Sequence, residues 1–485
     1  MDIDAGDKYI VILNERDASS MRVLPGERVD VSYNGRTITA VVDISRKSVP
    51  RGVVGLFADC WQDLGVPNGA EVVVEPSVDP PSLTYIRRKI QGERLEEREI
   101  WEIIEDIVTN KLTTAEAAAF VVAVHIQGMT LDEIVHLTEA IAHSGGMVRL
   151  SKHPVVDKHC IGGVPNNRTT MIFVPVMASL GYYVPKTSSR AITSPAGTAD
   201  TMEVLARVDL SAEEIKEITE SVGGVIAWGG GANIAAADDK LIQIRRPLAL
   251  DPRPLLLASI MAKKRAVGAE YLIVDIPIGD EAKVKDIRSG EQLGADFIRL
   301  GHRLGMRTKV VLTDGSHPIG RGIGPALEAR DVLYVLMGKG PRTLREKAVE
   351  LVAEMLTFLE GVDMQKARSI AEKQIDSGAA LKKFKEIVEA QEGDPDINPE
   401  DIPLGRLCET VYAPSDGRVT NISNKVVASA ARTAGAPFDK GAGVYLHVDV
   451  GDEVKKGDPL FTVYSNSKKR LKCALERAEG IIRID

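Results

Sequence analysis

The chain has 485 residues, 44% hydrophobic and 27% charged, which is the composition of a globular protein with more than one domain. A net charge of −8 gives no reason to expect nucleic-acid binding, and no apolar run of eighteen residues predicts a membrane span. The N-terminus lacks an apolar signal core and the four cysteines are scattered, so we expect a cytoplasmic chain without disulfides or structural metal.

Residues 1–83 are predicted to form a small β-rich domain. The stretches 29–33 and 37–42 alternate apolar and polar side chains on either side of Asn34-Gly35, which predicts a tight hairpin. Helical spacing over 55–64 predicts a helix. A strand is expected to follow at 71–75.

A helical domain is predicted over 84–154, together with about 235–265. Two capping boxes, Thr113-x-x-Glu116 and Thr130-x-x-Glu133, precede amphipathic runs and mark helix starts.

The stretches 155–234 and 266–395 alternate helices with short β-rich runs, which predicts an α/β domain built on a mixed sheet. The runs 271–276 and 309–313 are the clearest buried strands, and each leads into a glycine-containing loop. Open α/β sheets bind ligands at the carboxyl ends of their strands. We therefore expect a ligand-binding site in this domain.

The acidic, proline-rich stretch 393–403 predicts a linker, and 404–485 is β-rich. Its repeated strand–turn pattern resembles the small barrel-sandwich of biotinyl and lipoyl domains. The complete prediction is a multidomain α/β protein with an N-terminal β domain, a helical domain, a central α/β domain and a C-terminal barrel-sandwich (α+β) domain.

Two short segments combine cations, hydroxyl groups and glycines in the same way. Residues 186–203 read Lys-Thr-Ser-Ser-Arg-Ala-Ile-Thr-Ser-Pro-Ala-Gly-Thr-Ala-Asp-Thr-Met-Glu, and residues 157–170 read Asp-Lys-His-Cys-Ile-Gly-Gly-Val-Pro-Asn-Asn-Arg-Thr-Thr. Such turns offer backbone N–H groups and side-chain donors to an anion. An ordinary polar loop with a helix cap has a similar composition, so the first segment alone leaves that interpretation open.

Together the two segments resemble the thymidine and pyrimidine-nucleoside phosphorylase family. Its members carry a Lys-His-Ser-x-Gly-Gly-Val loop and a signature close to Ser-Gly-Arg-Gly-x-x-x-Thr-Gly-Gly-Thr-x-Asp-x-x-Glu. The resemblance covers roughly residues 84–485. It implies phosphorolysis, in which phosphate attacks the anomeric carbon of a ribosyl group and the base departs. It also implies a homodimer or larger homo-oligomer, with no cofactor and no metal.

The resemblance implies phosphate contacts from Lys158, Ser188 and Thr198, with Gly163 allowing close backbone approach. His159 matches a family histidine near the sugar and base, although a loop histidine held by the backbone is an equally simple interpretation. In the same motifs, Thr169 matches a further hydroxyl contact and Lys186 lies within the signature. Arg190 and Glu203 are expected to brace the loop at least as much as to contact ligand.

Cys160 departs from the family, which has serine at this position. A thiol is a poorer hydrogen-bond donor than a hydroxyl, so one phosphate contact is placed in doubt. A nucleophilic role is not expected, because the family reaction has no covalent intermediate.

The base side of the site is implied by a second match, over 245–264. Ser259 and Lys263 are four residues apart, so one helical face presents both donors. Asp251 is the implied proton donor to the departing base, and a helix cap is the alternative role for it. Arg245 argues instead for a pyrimidine nucleoside as substrate.

The extension 1–83 and the run Ser189 to Ser194 most resemble the archaeal AMP phosphorylases of this family. They convert AMP and phosphate to adenine and ribose 1,5-bisphosphate. The substrate-binding residues implied by this likeness are Gly163, Ser189, Arg190, Ala191, Ile192, Thr193, Ser194, Thr198, Ser259, Lys263 and Lys283. The extension is expected to join dimers into larger assemblies.

Three alternatives stay open at this point. A thymidine, uridine or cytidine phosphorylase giving free base and (deoxy)ribose 1-phosphate is the nearest. A phosphoribosyltransferase of similar fold would need Mg²⁺ and an acidic pair for pyrophosphate. A carrier protein would need a modified lysine at a hairpin tip, and Lys455-Lys456 lacks the usual neighbouring methionine.

Overall fold

The computed structural model of the chain describes residues 3, 6, 9–191 and 194–485. The chain divides into two compact units. The first contains Met1–Gly145 and Ala235–Ser259, and the second contains Gly146–Ile234 and Ile260–Asp485. Over the described ranges, every helix is too short or too polar to span a bilayer.

The first unit begins with a mixed five-stranded sheet of order β4-β1-β3-β2-β5, in which only β1 and β3 run parallel. The expected hairpin is confirmed, since β2 and β3 pair antiparallel and both Asn34 and Gly35 have positive φ. The helix predicted over 55–64 is wrong in its first residues, which form strand β4. The elements are β1 (Ile10–Asn14), α1 (Glu15–Met21), β2 (Arg28–Tyr33), β3 (Arg36–Ser45), β4 (Val54–Leu56), α2 (Ala58–Leu64) and β5 (Val73–Pro76).

The rest of the first unit is helical. Both predicted capping boxes are confirmed, because Thr113 and Thr130 accept from the backbone N–H three residues on and each glutamate bonds back. Arg28 of β2 pairs with Glu116 at 2.8 Å and thereby joins the sheet to α5. The helices are α3 (Ser82–Ile90), α4 (Glu97–Val108), α5 (Thr114–Gln127), α6 (Leu131–His143) and α10 (Ala236–Arg245), followed by α11 (Arg253–Ala266), which continues into the second unit.

The second unit contains parallel strands in the orders β10-β9-β6 and β7-β8, with a parallel bridge between Val155 and Tyr183. The mixed sheet expected here is wrong for the described strands of this region, because helical crossovers return each strand in the same direction. The strands are β6 (Val156–Cys160), β7 (Val184–Ser188), β8 (Gly224–Trp228), β9 (Tyr271–Ile278) and β10 (Arg307–Asp314).

Helices enclose these strands. Helix α7 is apolar on all sides and is buried from Thr169 to Ala178, so it forms the centre of the main core. The helices of this region are α7 (Thr169–Ser179), α8 (Thr198–Met202), α9 (Ala212–Val222), α12 (Ile287–Arg303), α13 (Pro325–Leu336), α14 (Arg342–Glu360), α15 (Met364–Asp376) and α16 (Ala379–Ala390).

The expected linker is irregular apart from one 3₁₀ turn, Pro399–Asp401, and the C-terminal region that follows has two small sheets. The orders are β11-β14-β16-β12 and β15-β13-β17. Strand β11 comes from the α/β region and pairs with β14, which explains why both regions fall in one unit. The elements are β11 (Gly322–Ile323), β12 (Leu407–Tyr412), β13 (Gly417–Ile422), α17 (Asn424–Ala434), β14 (Gly443–Leu446), β15 (Glu453–Val454), β16 (Pro459–Ser465), α18 (Lys468–Arg477) and β17 (Ile482–Ile484).

Candidate active site

Parallel pairing of β6 and β9 places two aspartates and their lysine partners at neighbouring strands. Asp275 of β9 lies opposite Cys160 of β6 and is fully buried. Its Oδ2 is 3.5 Å from Lys158 Nζ and 3.3 Å from Lys347 Nζ, and Thr313 donates to its Oδ1 at 2.6 Å. Burial raises the pKa of Asp275, but the two ammonium groups and the hydrogen bonds outweigh it and hold the pKa at about 2.

Asp157 of β6 forms the second buried centre. Its Oδ2 is 2.6 Å from Lys264 Nζ, and its Oδ1 is 3.3 Å from Lys186 Nζ. Lys186 also donates to the carbonyl oxygen of Lys158 at 2.8 Å, which connects β7 to β6. Burial raises the pKa of Asp157, but these lysines lower it below its usual value.

The charges of the two aspartates and the four lysines do not cancel. Four ammonium groups less two carboxylates leave two positive charges, if all six side chains are ionised. Burial lowers the pKa of both Lys158 and Lys186, so a bound anion would favour their charged forms.

Lys158 Nζ donates to Thr169 Oγ1 at 2.7 Å, and Thr169 donates to Asn167 at 2.9 Å. Thr169 is the first residue of α7, so the hydrogen bond attaches β6, which carries Lys158, to the start of this buried helix. Lys158 itself is fully buried among these partners.

His159 is half-buried at the end of β6. Burial and the cations Lys264, Lys186 and Lys263 lower the pKa of its ring well below the usual value. The imidazole is therefore neutral near pH 7 and keeps one ring nitrogen as an acceptor.

Cys160 Sγ accepts from Asn167 Nδ2 at 3.0 Å and from the N–H of Gly162 at 3.4 Å. Burial raises the pKa of the thiol to about 11, even with Lys158 and Lys347 nearby. A thiol in this state is a weak nucleophile. That Cys160 forms no covalent intermediate stays a prediction.

Arg168 connects the two predicted loops. It directly precedes α7, and its Nη1 donates to Thr198 Oγ1 at 3.1 Å. The same guanidinium donates to the carbonyl oxygen of Ala196 and to the carboxylate of Glu328 on α13. Lys158 and Thr198 thus each bond to one of two adjacent residues, Thr169 and Arg168.

Two glycines permit close approach at the loops. A Cβ at Gly163, where φ is +99°, would lie 2.9 Å from the backbone nitrogen of Lys283, so the turn carrying Lys283 lies against the first loop. A Cβ at Gly197 would lie 2.5 Å from the carbonyl oxygen of Ser189. Any larger residue would force these segments apart.

Asp200 and Glu203 hold the second loop. Asp200 Oδ2 accepts from the N–H groups of Ala191 at 2.7 Å and Gly197 at 2.9 Å. Both oxygens of Glu203 accept from Arg190, in the bracing arrangement expected for this pair. Among the hydroxyl residues, Ser188 is half-buried and Ser189 and Ser194 are exposed, while Ile192 and Thr193 lie outside the described residues.

Asp251 and Ser259 belong to the first unit. Asp251 Oδ1 is 2.9 Å from Arg245 Nη1, and Ser259 is buried on α11. Lys263 follows Ser259 by one turn of the same helix, as the spacing predicts, and belongs to the second unit.

Three functional candidates were not predicted from sequence as site residues: Arg168, Glu328 and Lys347. Arg168 had a usable signal, since it stands inside the segment 157–170 next to Thr169. Lys347 offered none, because it lies on α14 among other charged residues.

Comparison with known proteins shows the family of this chain. Models of the glycosyl transferase family match residues 83–145 as its helical bundle domain and 152–381 as its a/b domain, and the pyrimidine nucleoside phosphorylase C-terminal domain matches 418–485. AMP phosphorylase 1 of Archaeoglobus fulgidus is 48% identical over 475 residues, covering 97% of this chain and 93% of its own. The chain belongs to the AMP phosphorylase family. AMP phosphorylase of Pyrococcus furiosus is 46% identical over 99% of this chain and 95% of its own, and the resemblance drawn from the two loops is confirmed.

Solved structures share the fold at lower identity. Anthranilate phosphoribosyltransferase from Thermus thermophilus superposes with a TM-score of 0.55 at 19% identity, covering 64% of this chain and 99% of its own. The enzyme from Saccharomyces cerevisiae gives 0.53 at 15%, covering 64% of this chain and 98% of its own. At these identities the likeness concerns fold alone.

Proposed function

We propose that this protein is an AMP phosphorylase, a pentosyltransferase that converts AMP and inorganic phosphate to adenine and ribose 1,5-bisphosphate. A phosphate oxygen forms a bond to the anomeric carbon, and the bond from that carbon to the base nitrogen breaks. The observation that carries the proposal is the cluster of four buried lysines around Asp157 and Asp275, together with the hydrogen bond from Arg168 to Thr198 of the second loop.

The phosphate site is proposed to use Lys158, Ser188 and Thr198. A transition state with oxocarbenium character is stabilised when the attacking dianion is held close and oriented beforehand. The ion pairs with Asp157 and Asp275 hold the lysines in place. Because each carboxylate pairs with two lysines, it neutralises only part of their positive charge. In this step the protein positions the phosphate and supplies positive charge beside it.

Asp251 and His159 are the proposed catalytic residues. His159, as a neutral imidazole, accepts a hydrogen bond near the sugar. Asp251 delivers a proton to the departing purine nitrogen. Asp251 Oδ1 is 2.9 Å from Arg245 Nη1, so proton delivery to the base requires this pair to separate when substrate binds.

The remaining residues are proposed to hold AMP. Arg190 acts by bracing the loop through Glu203. Lys283 is the proposed cation for the 5′-phosphate, because its turn lies against Gly163. The proposed substrate contacts are Gly163, Ser189, Ala191, Ile192, Thr193, Ser194, Thr198, Ser259, Lys263 and Lys283.

The test is phosphate-dependent base release from AMP, compared with adenosine, thymidine and uridine. We expect adenine from AMP at a rate far above that of any free nucleoside. Rapid turnover of a nucleoside without turnover of AMP would favour the pyrimidine-nucleoside alternative. Loss of activity with a chelator would favour phosphoribosyl transfer, which uses Mg²⁺.

We further propose a cytoplasmic homo-oligomer with a C-terminal barrel-sandwich domain, in which residues 1–83 join dimers into larger assemblies. Light scattering on the full chain and on a variant lacking 1–83 tests this. The shortened chain should be a dimer, and an unchanged assembly size would contradict the proposal.

A further inference from the structure

The second loop is closed by one side chain. Asp200 Oδ2 accepts the N–H groups of both Ala191 and Gly197, at 2.7 and 2.9 Å, so the two ends of the segment 191–197 meet at a single carboxylate oxygen. Asp200 is only 4% exposed, which makes these charge-assisted hydrogen bonds strong. The positions of Ala191 and Gly197 relative to one another therefore depend on the carboxylate of Asp200 staying in place.

Glu203 adds a second carboxylate beside it. Arg190 Nη1 is 2.8 Å from Glu203 Oε2 and 3.5 Å from Asp200 Oδ1, and its guanidinium stacks over the ring of Trp228 at 4.6 Å. One guanidinium against two carboxylates leaves one negative charge. A negative charge beside the proposed site of two anionic substrates would repel them.

The compensating charge comes from the C-terminal region. Lys440 Nζ is 2.6 Å from Glu203 Oε2 and 3.6 Å from Asp200 Oδ1. These two contacts bring the local sum of charges to zero. Arg190 and Lys440 together lower the pKa of Glu203 to about 2, so the glutamate stays ionised at neutral pH.

Lys440 is also held firmly in place. Its carbonyl oxygen accepts from the N–H of Ala326 at the start of α13, at 3.0 Å. Close backbone contacts flank it, because a Cβ at Gly441 would lie 2.9 Å from the backbone of Gly405 and one at Gly443 would lie 2.2 Å from the carbonyl oxygen of Ile323. Its main chain is therefore positioned by the α/β region against which it packs.

We propose that Lys440 is a positioning residue of the substrate loop, by which the C-terminal region takes part in binding AMP. It acts through Asp200 and Glu203 and touches no reacting atom. The identity of the bound substrate rests on the proposed function, whereas the effect on the loop does not. The C-terminal region is then part of the substrate site and not a carrier module.

The test compares Lys440→Met with Lys440→Arg and with Lys456→Met, an exposed lysine of the same region. Lys440→Met should raise KM for AMP about three- to tenfold, leave KM for phosphate within about twofold, and leave Tm unchanged. Lys440→Arg should keep KM for AMP close to that of the wild type, and Lys456→Met should leave it unaltered. An equal rise in KM for AMP and for phosphate, or no rise in either, would overturn the proposal.

Two further measurements separate this proposal from the function on which it rests. Amide hydrogen exchange at Ala191 and Gly197, without substrate, should accelerate several-fold in Lys440→Met and not in Lys456→Met. Unchanged exchange overturns the role of Lys440 even if AMP is the substrate. A wild-type chain inactive on AMP overturns the proposed function, while faster exchange in the variant still supports Lys440. In the double variant Glu203→Gln/Lys440→Met, the rise in KM for AMP, expressed as free energy, should be smaller than the sum of the rises in the two single variants.

Discussion

The two loops of the site are held in different ways. The first loop rests on Asp157 and Asp275, whose carboxylates are fully buried and each contact two ammonium groups. In the second loop, the carboxylates of Asp200 and Glu203 pair with Arg190 and Lys440, and both of these cations are about one third exposed. Breaking a buried pair leaves a desolvated charge without compensation, whereas an exposed pair contributes little to stability. Changes at the first loop should therefore affect folding, and changes at the second should affect binding.

The largest effect is expected for Asp275→Asn. The substitution leaves Lys158 and Lys347 without their carboxylate in a buried position, which should cost about 3–5 kcal/mol in the free energy of unfolding. Urea denaturation followed by circular dichroism measures it, with Glu291→Gln on the exposed face of α12 as the matched control. A loss no larger than that of the control would remove the distinction between the two loops.

The same aspartate predicts a dependence of stability on pH. Its pKa is lowered in the folded state to about 2 from a usual 3.8, so it contributes stability above pH 4 that disappears as pH falls through 2. The contribution is roughly 2–3 kcal/mol, because each pKa unit corresponds to about 1.4 kcal/mol. Thermal melts between pH 5 and 2 should fall less steeply for Asp275→Asn than for the wild type. Parallel curves would contradict the assignment.

Arg168→Lys probes the connection between the loops. Lysine keeps the charge but lacks the planar fork that reaches Thr198, Ala196 and Glu328 together. We expect kcat/KM for phosphate to fall about tenfold, which corresponds to about 1.4 kcal/mol. Steady-state kinetics at fixed AMP measures this, and Arg207→Lys, whose ion pairs with Glu214 and Glu392 are partly exposed, is the control. Equal kinetics for both variants would show that the loops are positioned independently.

The smallest effect is expected for Cys160→Ser, which restores the family hydroxyl. Because the thiol acts as an acceptor in the structure, KM for phosphate should change less than about fivefold. With a pKa of about 11, the buried thiol should also react slowly with iodoacetamide at neutral pH, whereas the exposed Cys408 should react first. Mass spectrometry of the alkylated peptides measures the order of reaction. Alkylation of Cys160 before Cys408 would contradict the prediction.

Local chemistry predicted much of the fold. The pair Asn34-Gly35 gives the hairpin because it accepts positive φ, and the capping boxes at Thr113 and Thr130 involve groups only three residues apart. Strands β9 and β10 were found from their apolar runs. The mixed sheet of the α/β region was wrong, since strand direction depends on crossovers that periodicity does not record.

The candidate site was predictable only in its loops. The loops carry recognisable residues in order, but their supports come from distant parts of the chain. Arg168 and Glu328 are 160 positions apart, and Lys440 lies on a region that sequence alone treats as a separate domain. Which cation pairs with which carboxylate is decided by tertiary packing, and no local pattern encodes it.

Strand β11 has a consequence for the history and engineering of this protein. It consists of only Gly322 and Ile323, yet it supplies an edge to the C-terminal sheet. A recombination event or fusion that cuts the chain near residue 404 would leave that sheet one strand short and would expose unpaired backbone on both fragments. Transplanting the C-terminal region to another enzyme therefore requires a host that already provides a matching two-residue strand.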